Sequence, residues 1–262
     1  MGIRRQSYGA PSFGTPPVTW RDATPSVQAS WRRSYGCYVG AGKVSACLDS
    51  IRPASKTIAA SQYLAKMRVA APADVPQGFG MSSVDKTALG SADVGFLSLC
   101  GDSKSWTKFW CLKLTAWPAG ASATVELQSS TPGFPPTQYN FVRIDGPLMT
   151  VQNSRQGSLG TNGSGAVAIP ALNTTFVFAI AFDFATTTMT AYMNGALATT
   201  VVHGAFGGTQ AAILAEDSFA GSYSASSQFP DGIFYERLFC VAALTGPQIA
   251  AASASMAADY PP

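Results

Sequence analysis

Apolar and polar positions alternate with a period of two through much of the second half of the chain. In Thr175-Phe-Val-Phe-Ala-Ile-Ala-Phe-Asp183 the bulky Phe176, Phe178, Ile180 and Phe182 fall on one side, and Val177, Ala179 and Ala181 on the other. Successive side chains of a strand point to opposite faces, so this segment is predicted to be a strand with its large groups in a core. Its small groups then face a tighter or exposed layer. Met189-Thr-Ala-Tyr-Met193 and Ala196-Leu-Ala-Thr-Thr-Val-Val202 flank Asn194-Gly195. Asn-Gly tolerates positive φ at both central positions of a tight turn, which predicts a hairpin and hence a three-strand meander.

Upstream, the runs at 94–100, 109–117, 123–128, 139–144 and 148–151 are short and apolar or alternating, with Gly and Pro between them, as in Asp145-Gly-Pro147. Many short strands at this spacing predict an all-β sandwich or jelly roll. Residues 1 to about 50 carry Pro11, Pro16, Pro17 and Pro25 among several glycines and sustain no apolar period. They are expected to form an extended arm without regular elements. Residues 54–70 fit either a short helix, with Ile58, Leu64 and Met67 on one face, or a strand over 63–69. A cluster of Pro and Gly at 71–80 marks the expected boundary, giving an arm over 1–75 and a sandwich over 76–262.

Four short motifs near the C-terminus occur in a particular order: Ala181-Phe-Asp183, then Ala191-Tyr-Met-Asn-Gly195, then Phe229-Pro-Asp-Gly-Ile-Phe-Tyr-Glu-Arg-Leu238, then Ala243-Leu-Thr-Gly-Pro-Gln-Ile249. In order and spacing the stretch from Phe176 to Ile249 resembles the C-terminal half of a concanavalin A-like jelly roll of the laminin G-like type. The resemblance implies two stacked antiparallel sheets, and it is compatible with enzymes, carbohydrate binders and scaffolding modules alike. The last motif also reads as a helix start. Thr245 can cap, Pro247 suits the first turn, and Ile249 can pack beneath the sheet.

Charge changes the picture of the first part of the chain. Charged residues make up 12% of the 262 residues, about half the usual share, and 47% are apolar. Up to residue 70 ten basic residues stand against Asp22 and Asp49, a net +8, whereas the rest carries seven basic and twelve acidic residues, a net −5. A basic arm on an acidic body seeks an acidic surface. Arg4, Arg5, Tyr8, Trp20, Arg21, Trp31, Arg32, Arg33 and Tyr35 are the candidate anchors, because aromatic and Arg side chains are the usual anchors of interfaces. The spread of the basic residues matches no nucleic-acid motif, and no apolar run reaches the ~20 residues of a membrane span. No secretory signal is visible, since Met1-Gly2-Ile3-Arg4-Arg5-Gln6 leads into Ser, Gly and Pro. Cys37, Cys47, Cys100, Cys111 and Cys240 are expected as free thiols, with Cys37 and Cys47 the pair to test for a disulfide.

The chemistry of hydrolysis is missing from the pattern. Retaining glycosidases on this architecture need two carboxyl groups about 5.5 Å apart, and Glu126, Glu216 and Glu236 lie in unrelated contexts. His203 is the sole histidine and has no nucleophile elbow for a partner. No cofactor is expected; calcium is the metal weighed, with Asp217 and Glu216, or alternatively Asp231, as its carboxylates, but no dense acidic loop surrounds them. A sugar-binding loop is placed at 218–229, where Tyr223 and Gln228 combine an aromatic platform with an amide, with Asp231 just beyond as a further candidate. Two readings follow. The first is a non-enzymatic structural protein of a tailed bacteriophage, resident in the virion and held by its arm to other virion proteins and to copies of itself. The second is a lectin or receptor-binding module that recognises host-surface glycans.

Overall fold

The computed structural model describes residues 27–32, 38–40, 43–48, 57–60, 67–68, 79–81, 89–91, 105–118, 122–129, 139–154, 163–202, 216–219, 230–240 and 242–260. The strands are β1 (Val27–Arg32), β2 (Tyr38–Gly40), β3 (Lys43–Leu48), β4 (Thr57–Ala60), β5 (Met67–Arg68), β6 (Phe79–Met81), β7 (Leu89–Ser91), β8 (Trp106–Ala116) and β9 (Ala123–Ser129). They continue as β10 (Tyr139–Asp145), β11 (Leu148–Ser154), β12 (Gly163–Ala168), β13 (Thr175–Asp183), β14 (Thr188–Met193), β15 (Ala196–Val202), β16 (Glu216–Phe219) and β17 (Asp231–Cys240), and the chain closes on the helix α1 (Gly246–Asp259).

Antiparallel pairing sorts these strands into two layers. One runs β1, β17, β8, β13, β14, β15. The other runs β4, β7, β16, β9, β10, β11, β12. Hydrogen bonds pass from layer to layer at one side through β3, β5, β6 and β17, and at the other side β12 lies alongside β15. The protein is an all-β sandwich of the concanavalin A-like jelly-roll kind.

Alternation builds the core. On β8 Trp106, Trp110, Leu112 and Leu114 face the opposite layer, while Phe109 and Cys111 face α1. On β13 Phe176, Phe178, Ile180 and Phe182 join the same interior, and directly opposed pairs stack: Trp106 with Phe182 at 5.6 Å and Trp110 with Phe178 at 5.8 Å. Val177, Ala179 and Ala181 are fully or nearly fully buried beneath α1 with Ile249, Ala252 and Met256. Of the two environments open to the small face of β13, the structure takes the tight one. Small residues there allow the helix to approach closely.

The Asn194-Gly195 turn has φ of 51° and 80°, as the hairpin demands. Gly195 is needed twice over, because a Cβ there would stand 2.9 Å from the backbone of Ala250 on α1. At the start of α1 the Gln248 side chain accepts the Thr245 backbone N–H at 2.9 Å, as in a capping box, and a proline occupies the first turn.

The first part of the chain differs from expectation. Residues 27–68, read as part of an extended arm, supply β1 to β5, and β1 pairs along β17 from Val27↔Cys240 to Arg32↔Glu236. Residues 67–68 take the strand alternative, and 57–60 form a further strand ahead of it. These strands are two to six residues long and gain their partners from residues far along the chain, so local punctuation by Gly and Pro hid them. The predicted run at 94–100 lies outside the described residues, and β12 and β16 had no counterpart in the pattern.

Candidate functional site

Three neighbouring strands of the second layer present a polar outer face. Val142, Ile144, Met149, Val151 and Val167 of β10, β11 and β12 point into the core, which leaves Arg143, Asp145, Thr150, Gln152 and Ser164 pointing away from it. The register sets Arg143 opposite Thr150 and Gln152 opposite Ser164. These four residues line a shallow cleft of about 90 Å³. That is well below the ~300–1,000 Å³ of enclosed small-molecule sites, so the cleft is a surface depression that meets one edge of a ligand.

Two features hold the cleft in shape. The β10–β11 hairpin turns through Gly146 and Pro147, and Gly146 has φ 57°, so Asp145 faces Leu148 and the register is fixed. Asp145 then organises its neighbours: its Oδ2 accepts Arg143 Nε at 2.7 Å and the Thr150 hydroxyl. The Arg143 and Asp145 side chains are 38% and 26% exposed, a degree of solvation at which an ion pair orients more than it stabilises. The resulting surface offers a guanidinium, two hydroxyls and an amide on rigid strands.

A second cluster lies inside the sandwich, and sequence reasoning missed it. Glu126 of β9 is 1% exposed between the layers, where its Oε1 accepts Lys108 Nζ at 2.7 Å and Arg237 Nη2 at 2.8 Å. Its Oε2 accepts Trp110 Nε1 at 2.7 Å, and Arg237 Nε lies 2.7 Å away as an ionic contact rather than a directed hydrogen bond. Burial by itself would raise the Glu126 pKa. The charges of Arg237 and Lys108, with the hydrogen bonds from Lys108 and Trp110, outweigh burial and hold the carboxyl below its ordinary value.

Bulges explain how these charges came to face inward. The β9–β10 register slips at Val125, so Glu126 stands opposite the inward Val142. The β17–β8 register slips at Tyr235, so Arg237 stands opposite the inward Trp110. Each slip moves the following side chains to the other face. Glu126 is sealed from solvent and bound by cations, so it has no access to a substrate. Glu216 stands on β16 and Glu236 opposite Cys111 on β17.

Of the residues expected to bind sugar, Asp231 alone is among the described residues. Asp231 opens β17 opposite Ala116, whereas Tyr223 and Gln228 lie outside the described residues, as does His203. Ser218 and Phe219, expected in the same loop, belong to β16. Of the arm anchors, Trp31 and Arg32 stand on β1 with backbones paired to Arg237 and Glu236; Arg4, Arg5, Tyr8, Trp20, Arg21, Arg33 and Tyr35 lie outside the described residues. Cys111 and Cys240 are buried free thiols, and Cys37 lies outside the described residues. Among the described residues no group of three or more His, Cys, Asp or Glu is placed to hold a metal ion, and no helix is long and apolar enough to cross a membrane.

No family model and no curated protein matches this chain. Solved structures match it by shape. A botulinum neurotoxin type C structure, described as depending on two ganglioside molecules for cell entry, is similar at 12% identity with a TM-score of 0.61 over 88% of this chain and 51% of its own. The binding domain of botulinum neurotoxin serotype C1 gives 12% identity and 0.61 over 88% and 52%, and the type G receptor-binding domain 10% and 0.58 over 88% and 52%. The chain thus spans about half the length of these receptor-binding structures, and at such identities the likeness bears on the fold alone.

Proposed function

We propose that this protein is a non-enzymatic, glycan-binding module of laminin G-like type whose ligand lies in the cleft of Arg143, Thr150, Gln152 and Ser164. The observation that carries the reading is the cleft itself: convergent polar side chains on three adjacent strands, with core residues at the positions next to Arg143, Thr150 and Gln152. Sugars offer dense hydroxyl donors and acceptors, and a preformed polar surface binds them without paying to order its own groups. The fold neighbours are receptor-binding domains, which favours a recognition role over a catalytic one.

Glycan-array screening of the full chain beside an Arg143→Ala, Gln152→Ala variant tests the proposal. Specific binding by the natural chain and its loss in the variant, with an unchanged melting temperature, is the expected result. Binding that survives the double substitution would move the site elsewhere, and absence of any glycan binding would sink the reading.

A further inference from the structure

We infer that two copies of this chain pair edge to edge through β15, antiparallel and two-fold symmetric with Thr200 on the axis. The inference does not depend on the glycan-binding reading. β14 pairs along one side of β15, and among the described residues no strand pairs along the other. β12 meets β15 through side chains, with Thr199 and Val201 lying over Gly165, rather than through ladder hydrogen bonds. An open edge presents a row of N–H and C=O groups to any incoming strand, and proteins that stay apart guard it with Lys, Pro or an inward-pointing charge. Ala196-Leu-Ala-Thr-Thr-Val-Val202 has none of these. Its bulge at Ala198 returns Leu197 to the outer face opposite Tyr192, and two large apolar side chains stand in solvent, Leu197 at 62% and Val202 at 72% exposure.

Charge is missing from this side of the sandwich. Between Arg155 and Glu216 the sole Asp, Glu, Lys or Arg is Asp183. The helix α1, which touches β15, turns Ala250, Ala251, Ala254, Ala257 and Ala258 outward and carries one charged residue, Asp259, at its end. A membrane surface calls for basic and aromatic residues, and a charged partner for opposite charge; a copy of the same neutral edge calls for neither. Self-complementarity then selects the copy and the register. Thr200 pairs with Thr190, which lies between the inward Met189 and Ala191, so Thr200 faces outward with Leu197 and Val202 to either side of it. Pairing Thr200 with itself sets Thr199 against Val201 of the second copy on the inner face. On the outer face it brings Leu197 and Ala198 against Val202 of the second copy, once on each side of the axis. Such pairing uses the edge once and closes at a dimer.

Sedimentation velocity on the full chain tests the inference. The natural chain should show a monomer–dimer equilibrium that is nearly unchanged between about 0.05 and about 0.5 M salt, because no charge enters the pairing. Thr200→Lys and Thr200→Glu each set like charges opposite one another and should weaken dimerisation about tenfold or more. Mixing the two variants should restore it, since Lys then faces Glu at the axis. Leu148→Lys, a change of the same character on the outer face of the other layer, should leave it unaltered. Thermal melts of the variants check folding, and the exposure of Thr200 predicts unchanged midpoints. A chain that stays monomeric up to about 1 mM would overturn the inference. So would a dimer indifferent to charge at position 200, a mixture that fails to recover, or a dimer dissolved by salt, which is the behaviour of a basic arm on an acidic body.

Discussion

Glu126 keeps its charge where water is excluded, and the cost of that burial is offset by the two cations and the indole N–H around it. Removing the carboxylate charge leaves Lys108 and Arg237 buried without the anion that stands between them. Glu126→Gln should therefore lower stability by about 3–5 kcal/mol in urea titration at pH 7. The pH dependence follows from the direction of the shift. The folded carboxyl titrates below its unfolded value of about 4.5, so its contribution is complete above that pH and is lost as pH falls through the folded value. The natural chain should show this loss in urea midpoints taken from pH 6 down to pH 3, and the Gln variant should lack that component. A variant as stable as the natural chain would show that the cluster contributes no net stability.

At the scale of elements, the meander β13 to β15 packs under the helix α1 through Val177, Ala179 and Ala181, and its hairpin turn meets the helix at a glycine. Gly195 and Gly146 both sit at positive φ in tight turns, 80° and 57°, so an alanine at either meets similar backbone strain. Only Gly195 lies under α1, with Ala250 Cα 2.9 Å from the position of its missing Cβ, whereas nothing approaches within 4 Å at Gly146. Gly195→Ala should thus cost more than Gly146→Ala, with the first exceeding about 1 kcal/mol in denaturant midpoints. Equal losses would mean that the helix does not press on the turn.

The same elements show what local pattern can carry. Asn194-Gly195 and the two-sided pattern of Phe176–Phe182 were legible because a turn type and a strand period are local properties. The helix contact on Gly195 was not, since it depends on where the chain returns fifty residues later. Lys108 signals its burial faintly, standing between Trp106 and Trp110 on an otherwise apolar face. Glu126 and Arg237 send no such signal: a bulge resets the parity of a strand, and neither Val125 nor Tyr235 is a residue that announces one.

For the whole molecule, the jelly roll was readable from strand spacing and from the motifs between Phe176 and Ile249, and the cleft was only half readable. The Asp145-Gly-Pro147 turn sets Arg143 against Thr150 by counting, so that pair lay within reach of the pattern. Gln152 and Ser164 meet only because β12 joins, and Gly163-Ser-Gly-Ala-Val-Ala168 carries too little hydrophobic contrast to declare a strand. Loops attract attention as binding sites, yet here the convergent polar groups among the described residues stand on strands. Mapping amide chemical shifts in ¹H–¹⁵N spectra during titration with a bound glycan is the most direct measurement. The account predicts progressive shifts at Arg143, Thr150, Gln152 and Ser164 with the interior strands unmoved. Shifts confined to the segment 220–231, with β10 to β12 silent, would contradict it.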